Sequence, residues 1–316
     1  MQFTTKIPIQ KSSFPIDYDS KIMLLGSCFA ENMGEKFAYF KFQTTTNPFG
    51  IIFNAVSLEK LIRRTVENRT FTENDIFYHN DLWHCYEVHS ELSIPDKEEF
   101  LSNLNSILES TNKQISSLTH CIITLGTSWV YRNNETNEIV ANCHKVPQKN
   151  FTKELLSLSQ TEESLKSIVS LVHSVNPNCN FIFTVSPVRH IKDGFVENTL
   201  SKAHLVAAIH KTITHHPSPI TYFPAYEIMM DELRDYRFYA EDMLHPNQTA
   251  IDYIWIQFFE NYISESVFGL MNEICSIQKG LQHRPFNPNT ESHLKFLEHL
   301  NLKIEQIKEK LPQISF

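Results

Sequence analysis

Three short apolar runs interrupt the polar patterning of the chain without alternating. Ile22-Met23-Leu24-Leu25 stops at Gly26, Cys121-Ile122-Ile123-Thr124-Leu125 stops at Gly126, and Phe181-Ile182-Phe183-Thr184-Val185 stops at Ser186-Pro187. A run that is apolar on both faces predicts a strand covered from both sides, as in a parallel sheet. Ile220-Thr221-Tyr222-Phe223 predicts a fourth strand. Between the strands, helices are expected over Ala30 to Phe40, Ser57 to Glu67 (Ser57 as cap), Lys97 to Ser110, and Asn198 to His215. A further amphipathic helix carries Leu165, Ile168, Val169 and Val172 on one face. Aromatic and polar residues alternate from Ile76 to His89 around Asn80-Asp81, which predicts an inserted hairpin.

Strands alternating with helices predict an α/β fold: a three-layer α/β/α sandwich with a parallel sheet, whose ligands bind beyond the carboxyl ends of the strands. The last fifty residues read differently. Arg284-Pro285-Phe286-Asn287-Pro288-Asn289 breaks the chain, and Leu294, Leu297, Leu300, Ile304, Ile307 and Leu311 then form one apolar stripe. Residues 1–265 are expected as the main domain and 266–316 as a helical C-terminal extension. The stripe reads as a terminal helix docked on its own domain, with a homodimer contact as the alternative.

Composition narrows the function classes. A formal net charge of −8 and no long basic run argue against a nucleic-acid partner. No stretch approaches the roughly 20 apolar residues that span a membrane, and the first residues lack a secretory pattern. Six scattered cysteines with no CxxC pair suit reduced thiols, so a cytoplasmic location is expected. His79, His84 and His89 recur at a spacing that fits neither one helix face nor one strand face, and no metal site or cofactor is expected.

Only seven glycines occur, and Gly26, Gly50 and Gly126 lie in clusters of small polar residues beside apolar runs. Ser27 follows a strand and precedes a helix, where a hydroxyl serves either as a nucleophile or as a helix cap. Asp242 and His245 share the loop before a late helix in which Pro246 is read as the first turn. At that spacing a carboxylate orients an imidazole as a base, or forms a surface pair. Cys28 reads as a packing residue rather than a nucleophile. Arg189 and His190 follow a strand end and are expected to line the cleft. His144 and Lys145 either touch an acyl or anionic group or sit in a solvated loop.

A serine after the first strand with Asp-x-x-His before a late helix resembles the SGNH or GDSL hydrolase-like superfamily, with its flavodoxin-like fold. Gly26-Ser27-Cys28-Phe29-Ala30 also spells the signature of the GSCFA family. Asn47-Pro48-Phe49-Gly50, Gly126-Thr127-Ser128-Trp129, Ser186-Pro187-Val188-Arg189 and Asp242-Met243-Leu244-His245-Pro246-Asn247 resemble its further blocks in order. The resemblance covers roughly residues 1 to 265. It implies Ser27 as nucleophile, His245 as base in contact with it, and Asp242 as the orienting acid. The backbone N–H groups of Ser27 and Gly50 become oxyanion donors. A third donor is usually an asparagine in a Gly-x-Asn block, where this chain has Gly126-Thr127-Ser128. Ser128 or Asn47 would take that place. The implied activity is hydrolysis of a small O-acyl ester, such as an acylated carbohydrate. An O-acyltransferase and an acyl-sugar binding module are the alternatives.

Overall fold

The computed structural model describes residues 5–216 and 220–316. Strand β1 (Lys21–Gly26) leads through helix α1 (Cys28–Tyr39) to β2 (Gln43–Thr46) and α2 (Ala55–Val66). The hairpin β3 (Phe77–His79) and β4 (Leu82–His84) precedes α3 (Lys97–Ile115). After β5 (His120–Leu125) come β6 (Trp129–Asn133), β7 (Ile139–Val140) and β8 (Phe151–Leu155). Then follow α4 (Leu158–Val175), β9 (Asn180–Val185), α5 (Phe195–His215), β10 (Ile220–Phe223) and the short α6 (Ala225–Glu227). The chain closes with α7 (Gln248–Tyr262), α8 (Phe268–Gln282) and α9 (Glu291–Lys310).

Five strands pair in parallel in the order β10-β9-β5-β1-β2. The unbroken apolar runs explain the layering, because successive residues of β1 serve opposite faces. Ile22 and Leu24 join Phe29 and Phe37 of α1 and Ile254 and Phe258 of α7 in one core. Met23 and Leu25 join Leu58 of α2, Phe100 of α3, Leu165 of α4 and Leu205 of α5 in the other. The result is the expected three-layer α/β/α fold. From β1 the chain moves to β2 on one side and then crosses to β5 on the other. That reversal opens a crevice beyond the carboxyl ends of β1 and β5.

Several elements differ from expectation. The edge strand β2 is Gln-Thr-Thr-Thr, polar throughout, and gives no apolar signal. A further sheet, β7-β6-β8, is antiparallel and departs from the expected pattern, and the helical C-terminal extension holds α8 ahead of the striped helix. Ser57 is not the cap of α2. Asn54 is, its side chain accepting from the Ser57 N–H at 2.9 Å, while Ser57 Oγ is buried without a partner. Likewise Asn247 caps α7 and Pro246 lies just before it. Asn54→Ala is therefore expected to lower stability by about 1–2 kcal/mol in urea unfolding, with Ser57→Ala near neutral. The reverse order would restore Ser57 as the cap.

The C-terminal stripe divides. Leu300, Ile304 and Ile307 are buried in the core shared with α1 and α7, whereas Leu294 and Leu297 stay substantially exposed. Gln278 Nε2 donates to Tyr39 O at 2.9 Å, so α8 is tied to the end of α1.

Candidate active site

At the exit of β1, Gly26 has φ +128° and an added Cβ would lie 2.0 Å from Thr124 O, so the backbone of β1 sits against β5 there. Ser27 follows as the N-cap of α1, its Oγ accepting from the Phe29 N–H at 3.3 Å. Its own N–H donates to Thr124 O at 3.0 Å. Ser27 is buried, 2% exposed, while Cys28 is partly buried. Burial, and then Glu31, push the Cys28 thiol up, away from thiolate character.

The loop before α7 is held at several points. Tyr239 bridges to Pro246, the Ala240 N–H donates to His245 O at 2.8 Å, and Met243 adopts φ 60°. Inside this turn Asp242 Oδ1 accepts the N–H groups of Leu244 (2.9 Å) and His245 (3.0 Å). Asp242 Oδ2 pairs with His245 Nδ1 at 2.5 Å. The two backbone N–H groups and the imidazole hold the Asp242 carboxyl at about 2, below the usual carboxylate range. The dyad read from the sequence is therefore formed, and it leaves Nε2 without a bond to Asp242. Arg189 supports the same loop from the end of β9. Its N–H donates to Leu244 O at 3.2 Å, its guanidinium donates to Met243 O, and it lies over the ring of Tyr239 at 4.2 Å.

Under these loops lies a group that the sequence did not flag. Lys202 of α5 is 1% exposed, and its Nζ donates to Gly126 O and Ser186 O, both at 2.7 Å. It ties the exits of β5 and β9 together, and burial brings its ammonium down to about 7. His190 stands beside it with Nε2 buried and unpartnered. Burial, then the charges of Lys202 and His245, push its imidazole down to about 3. A Cβ on Gly126 would sit 3.3 Å from that Nε2. His190 thus stands beside the exit of β5.

The expected oxyanion donors fare differently. Both backbone groups are engaged: Ser27 N–H on Thr124 O, and Gly50 N–H on Asn47 O at 2.7 Å. Asn47 is bonded at both ends of its amide, Oδ1 from the Gly26 N–H at 2.8 Å and Nδ2 to Glu31 at 3.4 Å. Ser128 does not reach the site. It is fully buried, its Oγ donating to Ser201 O at 3.1 Å and its N–H to Ser201 Oγ at 2.7 Å, because the chain after Gly126 turns against α5. His144 is also turned away: its Nε2 bonds Cys85 O at 2.7 Å and its ring packs on His84. Among the described residues no hydrogen bond joins Ser27 Oγ to His245, contrary to the contact expected. Nor do three or more His, Cys, Asp or Glu side chains cluster as metal ligands among them.

The signature at the β1 exit and the turn around His245 are matched as parts of a single family model. The model described as the GSCFA family matches residues 21–258. The chain belongs to the GSCFA family. A second model, the C-terminal domain of GSCFA domain proteins, matches residues 274–316, which take in α9 and much of α8. No curated protein matches the chain. In this GSCFA protein the matched region holds every site residue above, and the C-terminal match packs on the far side of α1 and α7.

Proposed function

We propose that this GSCFA protein is a serine esterase of the SGNH type, acting on an O-acyl ester such as an acylated carbohydrate. The observation that carries the reading is the Asp242–His245 pair, locked by three hydrogen bonds in a turn that Arg189 ties back to the exit of β9. Such a pair fixes one tautomer and leaves Nε2 to accept a proton. Ser27 Oγ leaves the Phe29 N–H by rotation about χ1 and gives its proton to His245 Nε2 as it attacks the ester carbonyl. The Oγ–acyl bond forms, the C–O bond to the alcohol breaks, and His245 returns the proton to the leaving alcohol. Water then repeats the sequence, releasing the acid and restoring the Ser27 hydroxyl. As Oγ departs, the Phe29 amide at the N-terminus of α1 becomes free to face the developing negative charge. The step as written uses only these groups and water.

A fluorophosphonate, which phosphonylates an activated serine with loss of fluoride, tests the assignment. Digestion and mass spectrometry should find the adduct on Ser27. Labelling should be lost in Ser27→Ala and slowed on the order of a thousandfold in His245→Ala. An adduct on Cys28, or labelling no faster than in unfolded protein, would overturn the proposal.

A further inference from the structure

Next to this edge, the antiparallel sheet β7-β6-β8 and the loop before α2 border a half-open cavity of about 390 Å³. Its walls are Phe53, Trp129, Tyr131, Val140, Val146 and Phe151, and among the described residues none that is charged lines it. Phe53 stands at the border of cavity and site. Its carbonyl accepts the Gly126 N–H at 2.8 Å, its Cβ lies 2.8 Å from where a Cβ on Gly126 would be, and its ring stands 6.2 Å from that of His190. The neighbouring Ile52 N–H donates to Gly26 O at 3.0 Å, so the same loop also touches the residue before Ser27.

We propose that this cavity receives the acyl chain of the ester, an aliphatic chain of about eight to ten carbons, a proposal that rests on the esterase reading. Size argues first: at about 30 Å³ per non-hydrogen atom the space holds roughly a dozen such atoms, far more than an acetyl group fills. Chemistry argues second. Eight of the twelve lining residues are aromatic or aliphatic, and two of the polar ones spend their side-chain oxygens within the protein. Asn54 Oδ1 caps α2 and Asn142 Oδ1 accepts the His144 N–H at 2.8 Å. The surface as a whole is mainly aromatic and aliphatic, which suits methylene groups.

The test uses the full-length protein, p-nitrophenyl esters from acetate to dodecanoate, and octanamide as a non-hydrolysed probe in calorimetry. kcat/KM should climb with chain length towards octanoate, by up to about fourfold per methylene, and fall again for dodecanoate. Val146→Trp and Cys143→Trp, at two half-buried wall positions, should each cut the octanoate-to-acetate ratio at least tenfold and weaken octanamide binding. Two variants guard against one failing to fold. A flat chain-length series with Ser27-dependent turnover, or a preference for octanoate surviving both variants, overturns the proposal and leaves the esterase standing. Octanamide binding that the variants abolish, without turnover of any ester, supports the cavity as an acyl-chain site and overturns the esterase.

Discussion

Turnover of p-nitrophenyl acetate by Ser27→Gly is expected to fall by about three to four orders of magnitude with little change in KM. Glycine is the informative replacement because Ser27 also caps α1. Alanine at an N-cap costs about 1 kcal/mol, whereas glycine costs a few tenths. Both variants should therefore lose the same activity, while only Ser27→Ala should melt measurably lower. If activity instead follows melting temperature across the two, the serine is merely a cap. Retention of more than about a tenth of the wild-type rate by Ser27→Gly would also remove it as nucleophile. Cys28 is a poor substitute, because burial and Glu31 keep its thiol protonated.

Lys202→Met should destabilise the fold by about 2–4 kcal/mol. The apolar replacement keeps the stem but leaves the buried carbonyls of Gly126 and Ser186 without their donor. The pH dependence has a definite sign. In the folded protein the amine loses its proton near 7, as burial requires, whereas in the unfolded chain it does so near 10.4. Between those values the unfolded state binds more protons, so this residue makes stability rise with pH, by at most about 1.4 kcal/mol per unit. Below about pH 7 both states are protonated and the contribution is flat. A neutral amine has two N–H donors, and the structure offers it two carbonyl acceptors. Urea midpoints of wild type and Lys202→Met at pH 6, 7, 8 and 9 read the effect together with its coupling to Cys28, since the cysteines and tyrosines remote from Lys202 titrate alike in both. A difference that does not change over this range would mean that Lys202 stays charged.

The central strands could be read from the chain because burial on both faces demands unbroken apolar runs, as in Ile22 to Leu25 and Cys121 to Leu125. Edge strands carry no such demand, so the polar β2 left no trace. The Asp242–His245 pair was legible for a similar reason: two residues three positions apart in one turn determine their own contact. Ser128 was misread because the direction of a side chain leaving a strand depends on what packs above it, here Ser201 of α5. Lys202 was overlooked because a lysine in a helix usually reads as solvated. Its position was nonetheless visible, since it shares a helical face with Leu205 and Ile209.

Ser27 heads α1 and His245 comes just before α7, and these two helices are fastened together well away from either residue. Phe37 meets Trp255 at 5.0 Å and Phe258 at 5.7 Å, edge to face, and Lys36 pairs with Asp252. Ten residues of helix put that junction about 15 Å from Ser27 and His245. The aromatic junction therefore sets how the two helices lie against each other, and loosening it should alter the spacing at their N-terminal ends. A random-mutagenesis screen for inactive proteins should accordingly return Phe37 and Trp255 alongside Ser27 and His245. Only the first pair should regain activity through second substitutions that refill the junction.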